Sequence, residues 1–130
     1  MARELEFYLT GRGESPVEEF LANLAPKART KCLTYLALLT EHGNTLPANY
    51  IKHIQGDLWE LRPEFGGTEY RFFYVLLTAE TVVALHAFTK KTQHTPSAEI
   101  VRALSRLAEV QAQEQARKTE EQGEKTNGDT

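Results

Sequence analysis

Basic side chains recur in the second half of the chain, within or at the ends of segments that have the alternating pattern of β-strands. A cation at the end of an apolar strand lies at the rim of a core, where it can face an anion or a neighbouring carboxylate. If several of these cations share one sheet face, they repel one another unless an anionic group lies among them. The residues concerned are Lys52, His53, Arg62, Arg71, Lys90, Lys91 and His94.

The alternation of strand side chains predicts which of these residues share a face. In the segment LWELR, Glu60 and Arg62 point to one side and Trp59 to the other, which we expect to be the core beneath helices. Lys52 and His53 are neighbours and therefore point to opposite sides. The sequence leaves two interpretations open, an anion site or salt bridges with nearby carboxylates, for which Glu60, Glu64 and Glu69 are available.

Other kinds of site have weaker support in the sequence. The four histidines do not have the spacing of a metal site, and no glycine-rich phosphate loop or nucleophile elbow is present. His86 lies inside a strand pattern, which favours a buried structural histidine. Cys32 is the single cysteine and falls on a helical face, so we expect a small core residue.

The first half of the chain predicts one strand followed by two helices. RELEFYLT alternates as a half-buried strand, and SPVEEFLANL begins with Ser15, Pro16 and Glu18 in the order of a capping box. A second helix is predicted from Pro26 to Gly43, with an apolar face that includes Leu33. The two helices form a hairpin that we expect to pack on a sheet.

The second half predicts four strands joined by tight connections, followed by a helix. The strands are YIKHI, LWELR, EYRFFYVLLT and TVVALHAFTKK, the pattern of an antiparallel meander. Thr95 and Pro96 begin a C-terminal helix in TPSAEIVRALSRLAEV that packs back on the domain. The predicted fold class is α+β, a small antiparallel sheet with a mixed edge, an N-terminal helical hairpin and a C-terminal helix.

Length and composition indicate one domain, which we place at residues 1–110. Residues 111–130 lack large apolar side chains, so we predict a disordered polar tail. The net charge of −3 argues against indiscriminate attraction to nucleic acid, so any such role requires a local patch. No long apolar run or signal-peptide pattern occurs, and we expect a cytoplasmic protein without a membrane partner.

The combination of WELR, YR on the next strand and LHAFTKKTQHTP before EIVRAL resembles the RelE superfamily of toxins, in its HigB-like, phage-derived branch. The likeness covers roughly residues 3–108. It implies a toxin of a toxin–antitoxin pair that cuts messenger RNA on the ribosome, with a helix-turn-helix antitoxin as partner. It also implies a small sheet with two helices packed on one face.

The implied reaction needs neither metal nor cofactor. The 2′-hydroxyl of the RNA attacks the adjacent phosphate and displaces the 5′-oxygen of the next nucleotide. The protein therefore supplies a base for the hydroxyl, an acid for the leaving oxygen and cations for the added charge on the phosphate. Histidine suits the acid–base role, which makes His53 and His94 candidates, and arginine suits the phosphate. The resemblance implies a basic patch at Lys52, Arg62, Arg71, Lys90 and Lys91, with His94 nearby. We predict that Arg62, Arg71, Lys90, Lys91 and His94 act in cleavage, and that Lys52 and His53 bind RNA.

Two alternatives remain open at this point. The protein could be a non-catalytic inhibitor of the same fold that acts by binding, for example on DNA gyrase as the related ParE branch is thought to do. It could also be a non-toxic interaction module.

Overall fold

The computed structural model describes residues 2–94 and 96–128, with side chains through Gly123. The elements in chain order are β1 (Glu4–Phe7), α1 (Pro16–Ala22), α2 (Pro26–His42), a 3-10 turn (Gly43–Thr45), β2 (Ile51–Gln55), β3 (Leu58–Leu61), β4 (Glu64–Phe65), β5 (Thr68–Thr78), β6 (Thr81–Lys90) and α3 (Ser97–Gly128). These elements confirm the predicted α+β class.

The sheet has the strand order β1-β6-β5-β3-β2, and the short β4 pairs with β5. All of these pairs are antiparallel except β1 with β6, which is parallel and forms the mixed edge. The long β5–β6 hairpin forms the middle of the sheet, as two apolar segments separated only by Ala79 and Glu80 predict. The first strand of the chain thus completes the sheet beside the last one.

Two separate hydrophobic clusters lie on opposite faces of the sheet. Phe72 and Tyr74 of β5 belong to the cluster beneath α1 and α2, whereas Phe73 and Val75 belong to the cluster beneath α3. This alternation is the two-residue period of a strand buried on both faces. The helical hairpin therefore packs on one face, as predicted, and the C-terminal helix packs on the other.

The boundaries of α2 lie at the proline and the glycine that predicted them, but one predicted contact at α1 is absent. Pro26 begins α2 and Gly43 ends it with a φ of +57°, a backbone conformation that favours glycine. Ser15 precedes α1 in an extended conformation, yet its side chain makes no capping hydrogen bond, and its Oγ is buried without a partner. The capping-box prediction is wrong in this respect.

Two apolar side chains are more exposed than the sequence predicted. Leu33 of α2 is 46% exposed, because the buried side of the helix follows Ala28, Cys32, Leu36 and Leu39 instead. Trp59 faces the helical hairpin as predicted, but it is only partly buried, because β3 lies next to the edge strand β2.

The C-terminal helix is longer than the sequence predicted. The structure has α3 helical from Ser97 to Gly128, whereas a disordered tail was expected from residue 111. Residues of this segment are mostly strong helix formers, and Arg117 pairs with Glu114 and Glu121 at helical spacing. Helix formation in this segment therefore does not require buried apolar side chains. The proposed cap Thr95 lies outside the described residues.

Candidate functional site

Strand register places four of the predicted basic residues on one sheet face. Lys52 of β2 lies opposite Glu60 of β3, Glu60 lies opposite Phe73 of β5, and Lys90 of β6 lies opposite Glu69 of β5. Directly paired residues and residues two apart share a face, and Phe73 marks this face as the one that α3 covers. We call these four residues the cationic row: Lys52, Arg62, Arg71 and Lys90.

Glu60 lies between the two arginines of the cationic row. Its Oε1 is 3.7 Å from Nε of Arg62 and 3.6 Å from Nε of Arg71, and the residue is 1% exposed. One buried carboxylate thus offsets part of the repulsion between two guanidinium groups. The sequence interpretation in which Glu60 pairs with these arginines is therefore present in the structure.

Arg71 is enclosed by its own strand and its neighbours. Nη1 donates to the carbonyl of Tyr70 at 2.9 Å, Nη2 donates to Oε1 of Glu69 at 2.9 Å, and the side chain is 2% exposed. Its Nε is buried without a hydrogen-bond partner, so no edge of the guanidinium is exposed to a ligand arriving from solvent. Arg71 in this conformation fixes the geometry of the row and does not itself present a cation.

Arg62 is the accessible arginine of the pair. Its side chain is 31% exposed, and its Nη1 makes one long hydrogen bond, 3.4 Å, to the carbonyl of Ala48. Its backbone N–H donates to the carbonyl of Tyr50, which continues the pairing of β3 beyond Leu61. Lys52 is exposed and Lys90 is partly buried on the same face. The cations that face solvent are therefore Arg62 and Lys52, with Lys90 partly accessible.

Three other predicted residues lie outside the row. His53 points to the opposite face, where its ring packs against Trp59 at 4.9 Å and its Nε2 donates to the carbonyl of Gly56 at 2.7 Å. Lys91 and His94 are exposed in the segment after β6. No hydrogen bond or ion pair among the described residues connects Lys91 or His94 to the cationic row.

A second polar cluster surrounds His86 and was missed at the level of sequence. The imidazole is 7% exposed and stacks on Phe73 and Phe88 with ring centroids 6.3 and 5.8 Å away. Nδ1 lies 3.2 Å from Nη1 of Arg106, and Nε2 contacts the carboxylate of Glu99. Arginine can only donate, so Nδ1 accepts and the ring proton is on Nε2, which donates to Glu99.

Burial lowers the pKa of His86, and the adjacent Glu99 carboxylate opposes that shift. Burial also lowers the pKa of Arg106, whose guanidinium lies over the ring of Tyr8 at 4.9 Å and donates to the carbonyl of Leu85 at 2.9 Å. These contacts join the first turns of α3 to β6, so the His86 cluster fastens the helix to the sheet. The spacing of Glu99 and Arg106, two helical turns apart, was the available signal in the sequence.

Among residues 2–94 and 96–128, no group of three histidines, cysteines or carboxylates is arranged to hold a metal ion. Within the same ranges, no helix combines the length and the apolar character needed to cross a membrane.

Comparison with known protein families indicates the family of the chain. The family model described as "Phage derived protein Gp49-like (DUF891)" matches residues 19–108, which is more than half of the chain and spans α1 to the first turns of α3. The matched part contains the whole cationic row. A search of curated proteins found no match.

Proposed function

Because the chain belongs to the Gp49-like phage-derived protein family, a RelE-like toxin family, we propose that it is the toxin of a toxin–antitoxin pair. We assign it to the HigB-like branch because its WELR and FTKKTQHTP segments resemble that branch. Its proposed action is to stop translation by cleaving messenger RNA on the ribosome. The proposed partner is a small antitoxin with a helix-turn-helix domain.

The observation that supports this function best is the cationic row, in which the exposed Lys52 and the partly exposed Arg62 share a sheet face. Attack by a 2′-hydroxyl on the adjacent phosphate gathers negative charge on the phosphate oxygens. A guanidinium fixed in advance near those oxygens stabilises the transition state without reorganising. Glu60 and Arg71 contribute by holding Arg62 in place from within the protein.

The acid–base groups of the proposed reaction come from the segment after β6. Lys90 ends the strand on the face of the row, and Lys91 and His94 follow it in an exposed segment. Histidine is the side chain whose ordinary titration range suits proton transfer near neutral pH. We assign the general acid or base to His94, with Lys91 beside it as a further phosphate contact.

Ribosome dependence follows from the small number of accessible cations. Two or three cations on a chain of net charge −3 give little attraction to free RNA. A second body that presents the message supplies the orientation that this face lacks. Purified protein alone should therefore leave free RNA largely intact.

The test is primer extension on a message during cell-free translation, comparing wild type with Arg62→Ala. We expect ribosome-dependent cuts from wild type and a rate about a hundred- to a thousandfold lower from the variant, as for loss of one preorganised donor. Arg12→Ala is the matched control, because Arg12 is an exposed arginine in the turn after β1 and is not in the row. Equal cutting by Arg62→Ala and wild type would remove the row from the mechanism.

One observation favours the second candidate function, inhibition by binding without catalysis. Arg71 is enclosed, and no hydrogen bond or ion pair among the described residues joins a histidine to the cationic row. If this alternative is correct, growth-arrested cells keep intact messenger RNA, His94→Ala remains toxic, and DNA-damage signalling marks gyrase as the target. Message cleavage that is lost in His94→Ala would reject it.

A further inference from the structure

A cavity of about 430 Å³ lies between the first half of α2 and the short strand β4, away from the cationic row. Phe65 forms one wall and is 40% exposed, the one aromatic among the large hydrophobic side chains exposed in the described part of the chain. The opposite wall is the outer side of α2. Its lining residues are Pro26, Lys27, Thr30, Lys31 and Thr34.

Lys27 of this wall lies in the first turn of α2, where a cation is unfavourable for the stability of the helix. The first turn of α2 contains no acidic residue, although the N-terminal end of a helix favours carboxylates over cations. Lys27 makes no hydrogen bond or ion pair with any described residue, and Lys31 has only the ring of Tyr35, 5.4 Å from its Nζ. The helix therefore gives no structural reason for two cations one turn apart.

The third cation of this region, Arg29, differs from them. Its side chain donates to three backbone carbonyls at the end of α1, those of Leu21, Ala22 and Leu24, at 2.8 to 3.0 Å. Arg29 thus has a structural role, the closure of the helical hairpin. Lys27 and Lys31 instead face the cavity with Phe65.

We propose that this cavity binds one nucleotide of single-stranded RNA, with the base stacked on Phe65 and a phosphate held between Lys27 and Lys31. An exposed aromatic ring beside lysines is the arrangement that binds single-stranded nucleic acid, because every base has a face that stacks and every linkage carries a charge. The choice of RNA rests on the proposed function.

The chemistry of the cavity distinguishes this ligand from an apolar peptide. A hydrophobic side chain in the cavity would cover Phe65 and leave two ammonium groups desolvated without a partner, which is costly. The base of a nucleotide can cover Phe65, and its phosphate can pair with the two ammonium groups. The hydroxyls of Thr30 and Thr34 donate to the helix backbone, so their oxygens remain able to accept from a base or a ribose.

The test places a reporter at the wall of the cavity. In a Trp59→Phe background, which removes the single native tryptophan, Phe65→Trp puts an indole where the base is expected to stack. Single-stranded hexamers of uridylate and adenylate are titrated at low salt, with indole fluorescence as the readout. We expect saturable quenching, tighter for adenylate because purines stack over more area, and weaker as salt rises.

The matched control is Leu33→Trp in the same background, since Leu33 is 46% exposed on α2 and does not line the cavity. It should show no saturable quenching. In the native Trp59 chain, Phe65→Ala should weaken binding of a labelled adenylate hexamer about tenfold or more, measured by fluorescence anisotropy. The double variant Lys27→Ala, Lys31→Ala should both weaken binding and reduce its dependence on salt.

Absence of saturable quenching, or equal quenching at the Leu33 position, overturns the proposal. Quenching by a protein partner but not by either hexamer also overturns it and assigns the cavity to that partner. None of these measurements requires cleavage. Binding of the hexamers without any ribosome-dependent cutting would therefore support the nucleotide site and reject the proposed catalysis. Ribosome-dependent cutting without binding of the hexamers would support the catalysis and reject the nucleotide site.

Discussion

Arg71→Ala should unfold the protein to a measurable degree, whereas Arg62→Ala should leave it folded. Arg71 is 2% exposed and pairs with Glu60, Glu69 and the carbonyl of Tyr70, so its removal takes one guanidinium away from the carboxylate of Glu60, which is 1% exposed. Breaking a buried ion pair from one side costs about 3–5 kcal/mol in the free energy of unfolding. Arg62 is 31% exposed, and its loss should cost about 1 kcal/mol or less.

The measurement is urea unfolding followed by circular dichroism, with soluble yield and growth arrest scored for the same variants. Arg71→Ala should lose toxicity in proportion to its loss of folded protein. Arg62→Ala should lose toxicity while it stays folded. A double variant tests whether the cost comes from the buried charge of Glu60. Glu60→Gln with Arg71→Met should be more stable than Arg71→Ala, because no carboxylate is then left buried opposite a missing guanidinium.

A folded Arg71→Ala protein within about 1 kcal/mol of wild type would refute this reasoning, since a buried partner would then be dispensable. If that folded variant were also unable to cut message, we would conclude that Arg71 contacts RNA.

Three further predictions concern other parts of the molecule. Because burial lowers the pKa of His86 below the value of 6.5 that it has when unfolded, the unfolded chain binds a proton first as pH falls. The free energy of unfolding should therefore decrease below about pH 6.5, and less so in His86→Phe; an identical decrease in both would contradict this. Burial raises the pKa of Cys32 to about 12, so its thiol should react with iodoacetamide at pH 8 only after unfolding, as mass spectrometry would detect. Deleting residues 119–130 removes a part of α3 whose described side chains are exposed, so the melting temperature should change by about two degrees or less in differential scanning calorimetry. A larger drop would show that this part of the helix packs on the domain.

The sequence predicted the elements of the fold because their signals are local. Alternation in EYRFFYVLL and the punctuation by Pro26 and Gly43 depend on neighbouring residues alone, and both are present in the structure. The same alternation placed Glu60 and Arg62 on one face of their strand. These features required no knowledge of which strands pair.

The state of the individual side chains could not be predicted in this way. Enclosure of Arg71 depends on Glu60, which belongs to another strand, and the cluster at His86 depends on where α3 crosses β6. Leu33 fits an apolar face by spacing, yet the helix is rotated so that Cys32 is buried instead. Each outcome is fixed by packing between distant segments, which a periodic pattern does not contain.

The parallel pairing of β1 with β6 has a consequence for how the chain folds. Glu4 lies beside Thr81 in the sheet, so the first strand has no partner until almost the whole domain has been synthesised. The β5–β6 hairpin can close as soon as it emerges, because its contacts are short-range. During translation β1 therefore stays unpaired while the β5–β6 hairpin forms, and the pairing of β1 with β6 should be a late event. A nascent chain that stops before Thr81 lacks both β6 and Lys90, so translation must pass β6 before the sheet and its cationic row are complete.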